Sequence, residues 1–205
     1  MHFTDLTGLA GIAFAIVTLA LRFPVVARLH AKPQIVLAVG LLLAAVLPFG
    51  GLSAAEYVRG VTGDLSITTL VLLGFLLCRK FRLSPLCFGD EDASLRSNTN
   101  SVLLLIAIGA LVLYPFALGI GMVDPYRLGF GDHGFIAGLL GLALAAWIWH
   151  YTRIALCLSL AALAWSVGWY ESNNLWDYLL DPWLAIYAIA AVLKVASAGL
   201  MKRRQ

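Results

Sequence analysis

Seven apolar stretches, separated by short polar linkers, constrain this chain more than any motif in it. They cover residues 6–27, 34–53, 64–78, 101–122, 135–149, 154–170 and 182–201. A helix needs about 20 predominantly apolar residues to cross the hydrocarbon core of a bilayer, with a range of about 17–25. The third, fifth and sixth stretches are short by that measure and would borrow flanking residues or line a thinned region. The chain is 61% hydrophobic and 12% charged, whereas a soluble domain carries about 25% charge. The expectation is an all-α protein. It would be a polytopic membrane bundle of about seven transmembrane helices, one integral membrane domain over residues 1–205, without repeats or a soluble appendage.

The charges orient this bundle. Arg22, Arg28, Lys32, Arg79, Lys80, Arg82, Arg96, Arg153, Lys202, Arg203 and Arg204 fall in linkers one, three and five and at the C-terminus. Lys194 lies within snorkelling reach of the same side. Of the 14 basic residues only Arg59 and Arg127 remain for the other side. The positive-inside rule then places the C-terminus in the cytoplasm and, with seven spans, the N-terminus outside. In a bacterial cell this would be the cytoplasmic (inner) membrane. The first stretch lacks the basic flank and cleavage site of a signal peptide and reads as a retained span. Were it re-entrant, only the N-terminal side would change. The net charge of +3 is accounted for by topology, so no nucleic-acid partner is implied.

The acids follow the opposite distribution. Asp5, Glu56, Asp64, Asp124, Asp132, Glu171, Asp177 and Asp181 are outer, whereas only Asp90, Glu91 and Asp92 are inner. Cys78, Cys87 and Cys157 all fall on the cytoplasmic side, where thiols stay reduced.

Three outer clusters hold the polar residues. In residues 56–69, Glu56 and Arg59 are spaced to share a helical face and pair, and Asp64 lies within reach of Arg59. Gly60 and Gly63 interrupt the helical pattern, and a break at membrane depth needs a cavity or protein around it. Residues 122–134 carry Arg127, Asp132 and His133 in a loop tightened by Gly and Pro. Residues 169–181 place Glu171 and Asp177 around a short amphipathic helix, capped by Asn173 or Asn174 and lying in the interface. Helix capping accounts for several of these polar groups. Asp64, Asp132 and Asp181 each precede an apolar stretch, as do Asn100 and Ser101, and Asp124-Pro125 reads as a turn. An aromatic belt accounts for most outer Trp and Tyr residues.

Sharper signatures are absent. No nucleophile elbow, His-Glu-x-x-His, phosphate loop or Rossmann glycine pattern occurs. No bis-histidine stacking points to haem, and no metal-type cysteine spacing is present. No cofactor and no metal ligand set is assigned.

These readings converge on an outer-face polar site. The first functional expectation is a binding or accessory subunit for a membrane lipid or lipid-linked headgroup, or for an envelope-modifying protein partner. Glu56, Arg59, Asp64, Arg127, Glu171 and Asp177 would line its binding surface, the two arginines contacting phosphate. Small residues such as Gly8 and Gly11 suit packing against a partner helix or a second copy in the membrane. The alternative is an intramembrane transferase or hydrolase acting on a lipid headgroup, with His133 as general base and Asp132 orienting it. A transporter, using the glycine-broken third stretch, is the weaker alternative.

Overall fold

An apolar segment with no outside hydrogen-bond partners satisfies its backbone within itself, as a helix. The computed structural model describes residues 3–81 and 92–202, and its long elements are all α-helices. They are α1 (Phe3–Arg22), α2 (Pro24–Ala27), α3 (Ala31–Val46), α4 (Ala54–Thr62), α5 (Ile67–Phe81), α6 (Asp92–Ala117), α7 (His133–Ile148), α8 (Thr152–Ser166), α9 (Leu175–Leu179) and α10 (Pro182–Lys202). A single hairpin, β1 (Pro48–Phe49) with β2 (Leu52–Ser53), and a 3-10 turn at Pro125–Gly129 complete the described elements. Each apolar stretch overlaps one of the seven longest described helices.

Three boundaries differ from expectation, each for a local reason. The first stretch breaks before Pro24, which starts the one-turn α2. The second ends at Val46 rather than continuing to residue 53. Pro48 has no N–H to donate, and Gly50 and Gly51, at φ 70° and 110°, turn the chain into the hairpin. The fourth begins upstream, so Asn100 and Ser101 lie inside α6 instead of capping it. Asp90, Glu91, Cys87 and Arg82 lie outside the described residues.

Helix α8 is the hub of the main bundle. It packs against α5, α6, α7 and α9, while α10 packs on α6. The shared core includes Val102, Ile106, Leu139, Leu158, Leu175 and Leu184, with alanines such as Ala161 where helices approach closely. A second, smaller core joins α1 to α4 through Leu9, Ile12 and Ala55, and α1 also packs on α3 and α5.

Polar residues sort to the two ends. At one end the Lys80 ammonium donates to the Leu21 carbonyl at the close of α1. Arg153 donates to the Thr99 hydroxyl there and lies 5.3 Å from the Phe75 ring. At the other end the Thr7 hydroxyl donates to the Trp169 carbonyl, and the rings of Phe3 and Trp169 meet edge to face at 5.7 Å. The flanks between are apolar and exposed: Val36 and Leu43 on α3, Ile108 and Leu111 on α6, Leu144 and Ile148 on α7, Ile186 and Leu193 on α10. Two helical segments, Phe3–Arg22 and Thr99–Ala117, are long and apolar enough to cross a membrane. Ala31–Val46, His133–Ile148, Thr152–Ser166 and Pro182–Ala198 are apolar but shorter.

Candidate functional site

The end that carries Trp169 is built from three groups of hydrogen bonds. The first is centred on Arg59. Its Nε and one terminal nitrogen hold both oxygens of Asp64, at 2.6 and 3.1 Å, and the other terminal nitrogen reaches Asp5 Oδ1 at 3.1 Å. This fork-on-fork geometry is the strong form of an ion pair, and the Asp64 bond, more than any other contact, holds the guanidinium charged beyond its ordinary range. The pair lies against α1 at Gly8. A Cβ there would stand 2.3 Å from Asp64 Oδ1 and 2.8 Å from Arg59 Nε. Gly8 therefore makes room for an ion pair of its own chain, and Gly11 faces Leu70 and the Tyr170 hydroxyl. Neither glycine lies on a face open to a partner helix.

Glu56 is not Arg59's partner. It sits at the third position of α4, accepts the Ser53 backbone N–H at 2.5 Å, and donates its own N–H to the Ser53 hydroxyl at 3.2 Å. This reciprocal capping box satisfies two free helix-start donors. The Ser53 backbone N–H, and next the Ser53 hydroxyl, hold the Glu56 carboxyl below its usual range.

The second group is centred on Asp181, which is 3% exposed. Its Oδ1 accepts the Leu184 N–H at 2.8 Å, the expected cap of α10. Its Oδ2 accepts the Ser66 N–H at 3.0 Å, the Ser66 hydroxyl at 2.7 Å and the Thr69 hydroxyl. One carboxylate thus serves the starts of α10 and α5, where helix dipoles favour negative charge. The cap expected of Asp64 is supplied instead by Ser66, whose hydroxyl accepts the Thr69 N–H.

The third group ties the loops around Tyr126 and Asn174 into one cap. The Tyr126 hydroxyl donates to Asp177 at 3.0 Å. The Asn174 amide donates to the Tyr126 carbonyl at 2.9 Å, and Trp176 Nε1 donates to the Pro125 carbonyl at 3.0 Å. Gly129 lets these loops meet, since a Cβ there would fall 1.7 Å from Asn174 Oδ1. Asn174 caps α9 through the Trp176 N–H. Contrary to the interfacial reading, α9 is packed into the bundle, with Leu175, Tyr178 and Leu179 buried. The Tyr178 hydroxyl donates to the Ser172 carbonyl and accepts the Tyr170 N–H, both at 3.0 Å. Burial, and then the Asp177 charge, push the Tyr126 phenol up to about 12.

Three of the anticipated side chains project from this cap. Arg127, His133 and Glu171 are exposed, and among the described residues none makes a side-chain hydrogen bond or ion pair. Asp132 caps α7 by accepting the Phe135 N–H at 2.7 Å, and no hydrogen bond joins it to His133. Asp177 connects the second and third clusters. No hydrogen bond or ion pair connects Arg59 or Asp64 to Arg127, Asp132 or His133. Among the described residues no group of three His, Cys, Asp or Glu side chains is placed to hold a metal ion.

Sequence reasoning assigned no role to Asp5, Ser66 or Thr69, and it counted Tyr170 among the outer aromatics, most of them read as an interfacial belt, whereas the structure buries it. Tyr170 is 4% exposed, and its hydroxyl is the buried side-chain polar atom left without a hydrogen bond among the described residues. The chain matches no protein-family model, no curated protein and no solved structure.

Proposed function

We propose that this chain is a small seven-span membrane protein that holds a phosphate-bearing lipid headgroup at its outer face, as a binding or accessory subunit. Its N-terminus would lie outside and its C-terminus in the cytoplasm, with the cytoplasmic membrane of a bacterium as the natural setting. The observation that carries the reading is the hydrogen-bonded cap from which Arg127 projects without a partner among the described residues. Arg59 has its donors committed to two carboxylates, so Arg127 is the outer guanidinium left to meet a phosphate.

Three further features support the membrane setting. The exposed apolar flanks run along most long helices, whereas soluble monomers rarely expose contiguous apolar patches beyond a few hundred Å². Most Lys and Arg residues fall toward one end, as the positive-inside rule expects, and Arg59 and Arg127 are the exceptions at the other. The shorter helices fit a locally thinned bilayer or tilted neighbours, at a cost of fractions of a kcal/mol per Å of mismatch.

The enzyme alternative has weaker support, because Asp132 is committed to a helix start and leaves His133 without an orienting partner. Gentle purification from native membrane, followed by lipid mass spectrometry, tests the binding reading. A phosphate lipid is expected to be retained and to be lost on Arg127→Ala, while His133→Ala retains it. Equal retention in Arg127→Ala and wild type would remove the headgroup site.

A further inference from the structure

Helices α6 and α7 follow one another in sequence yet hardly touch. Each packs instead on α8. Between them lies a cleft of about 460 Å³, floored by α8 and α9. This is within the size range of small-molecule sites, about 300–1,000 Å³. Its walls are almost wholly apolar. Leu105 and Gly109 come from α6, Gly138 and Leu142 from α7, Cys157 from α8, and Trp176 closes the outer end. The Trp176 indole N–H is committed to the Pro125 carbonyl, so it presents only ring to the cleft. Ile108 and Leu142 line the cleft and are also exposed, at 52% and 43%. The cleft is therefore open to the side at mid-helix, near exposed leucines such as Leu111 and Leu144.

Physical chemistry selects the occupant. Apolar cavities stay dry, because water needs two to four polar partners. An unfilled space of this size forfeits dispersion contacts on every wall, in an interior otherwise packed at a density of about 0.75. Hydrocarbon at the mouth fills it with little polar surface to desolvate, the Thr68 side chain being the polar one on its wall. Above Trp176, the turn Pro125–Gly129 carries the unpaired Arg127 and is fixed to that same indole. A cation on the turn tied to the end of an apolar slot suits an anionic headgroup joined to an acyl chain.

We infer that the cleft between α6 and α7 holds one acyl chain of an anionic phospholipid. The inference deepens the headgroup reading and rests on the same membrane setting. It makes the cleft the place where chain length and shape are selected, with Arg127 reading the phosphate.

Gly138 supplies the test. It lies within α7, and a Cβ there would meet nothing within 4 Å, so a larger side chain enters the cleft. Gly141, on the same helix, is equally unobstructed and does not line the cleft. The protein would be placed in phosphatidylcholine nanodiscs doped with phosphatidylglycerol bearing a diazirine in one acyl chain, then photolysed. In wild type, adducts are expected on Leu105, Leu142 and Cys157. Gly138→Phe should cut them roughly tenfold, as expected when an overpacked site excludes a chain. Gly141→Phe should leave them unchanged, and Gly138→Leu is the smaller plug if Gly138→Phe does not fold.

Adducts confined to outward residues such as Leu104, Leu111 and Leu140, or cleft adducts indifferent to both plugs, would overturn the inference. A co-purifying protein segment crosslinked into the cleft would do the same. The two readings fail separately. Cleft adducts that survive Arg127→Ala at full yield remove the headgroup role alone. Phosphatidylglycerol retained in an Arg127-dependent way, without cleft adducts, removes the chain site alone.

Discussion

The carboxylate of Asp181 accepts both the N–H and the hydroxyl of Ser66, at 3.0 and 2.7 Å, across 115 positions of sequence. With the Leu184 N–H on its other oxygen, it locks the start of α10 to the start of α5 inside the bundle. Burying a carboxylate is tolerated because each donor is aimed at it. Asp181→Ala strands the Ser66 and Leu184 N–H groups and both hydroxyls. We expect it to cost about 3 kcal/mol or more, and Asp181→Asn, which keeps one carbonyl acceptor, about half as much. Urea or thermal unfolding in a fixed detergent measures both. A loss below about 0.5 kcal/mol for the alanine variant would show that this tie does not carry the bundle.

Gly8 and the Arg59–Asp64 pair behave as one unit. Gly8→Ala drives a methyl into Asp64 Oδ1 and should destabilise by about 1–3 kcal/mol, as overpacking does. With Arg59 already replaced by Ala, and Asp64 free to swing, the same change should become neutral or stabilising, since alanine favours a helix over glycine by about 1 kcal/mol. A double-mutant cycle checks this reversal of sign. Additive effects would mean the two sites are independent.

The capping box of α4 gives an acid-side signature. The folded Glu56 carboxyl titrates below its ordinary value of 4.5. Its contribution is therefore fully present above that value and declines as pH falls through the folded one. Glu56→Gln keeps an acceptor at the third helical position and should flatten the acid limb while leaving neutral stability nearly unchanged. Ser53→Ala should cost about 1 kcal/mol at neutral pH. Unfolding midpoints between pH 3 and 7 report both effects.

The Tyr126–Asp177 bond has an alkaline signature. The phenol is raised from 10 to about 12 in the folded chain. The bond's contribution is fully present below pH 10 and is lost as pH rises through 12. Tyr126→Phe should remove that alkaline loss and loosen the outer cap, seen as faster hydrogen exchange in residues 124–130 with the long helices unaffected. Unchanged exchange would mean that Asn174 and Trp176 hold the cap without Tyr126.

Much of this architecture was written in local sequence. The seven long helices follow from apolar runs whose backbones bond only to themselves. Asp132 and Asp181 were legible as caps, and α9 as capped by Asn173 or Asn174, because capping depends on residues a few positions away. The sorting of Arg and Lys to one end is a count along the chain. Tertiary structure alone decided the partners. Arg59 prefers Asp64 and Asp5 to Glu56, because the turn after α4 brings both oxygens of Asp64 onto the guanidinium fork, while Ser53 already occupies Glu56. Asp181 gained Ser66 and Thr69 only when α5 and α10 were brought together. The cleft between α6 and α7 left no mark in the sequence. It is a gap between two helices that both found a better neighbour in α8, and apolar residues lining a gap read the same as apolar residues filling a core.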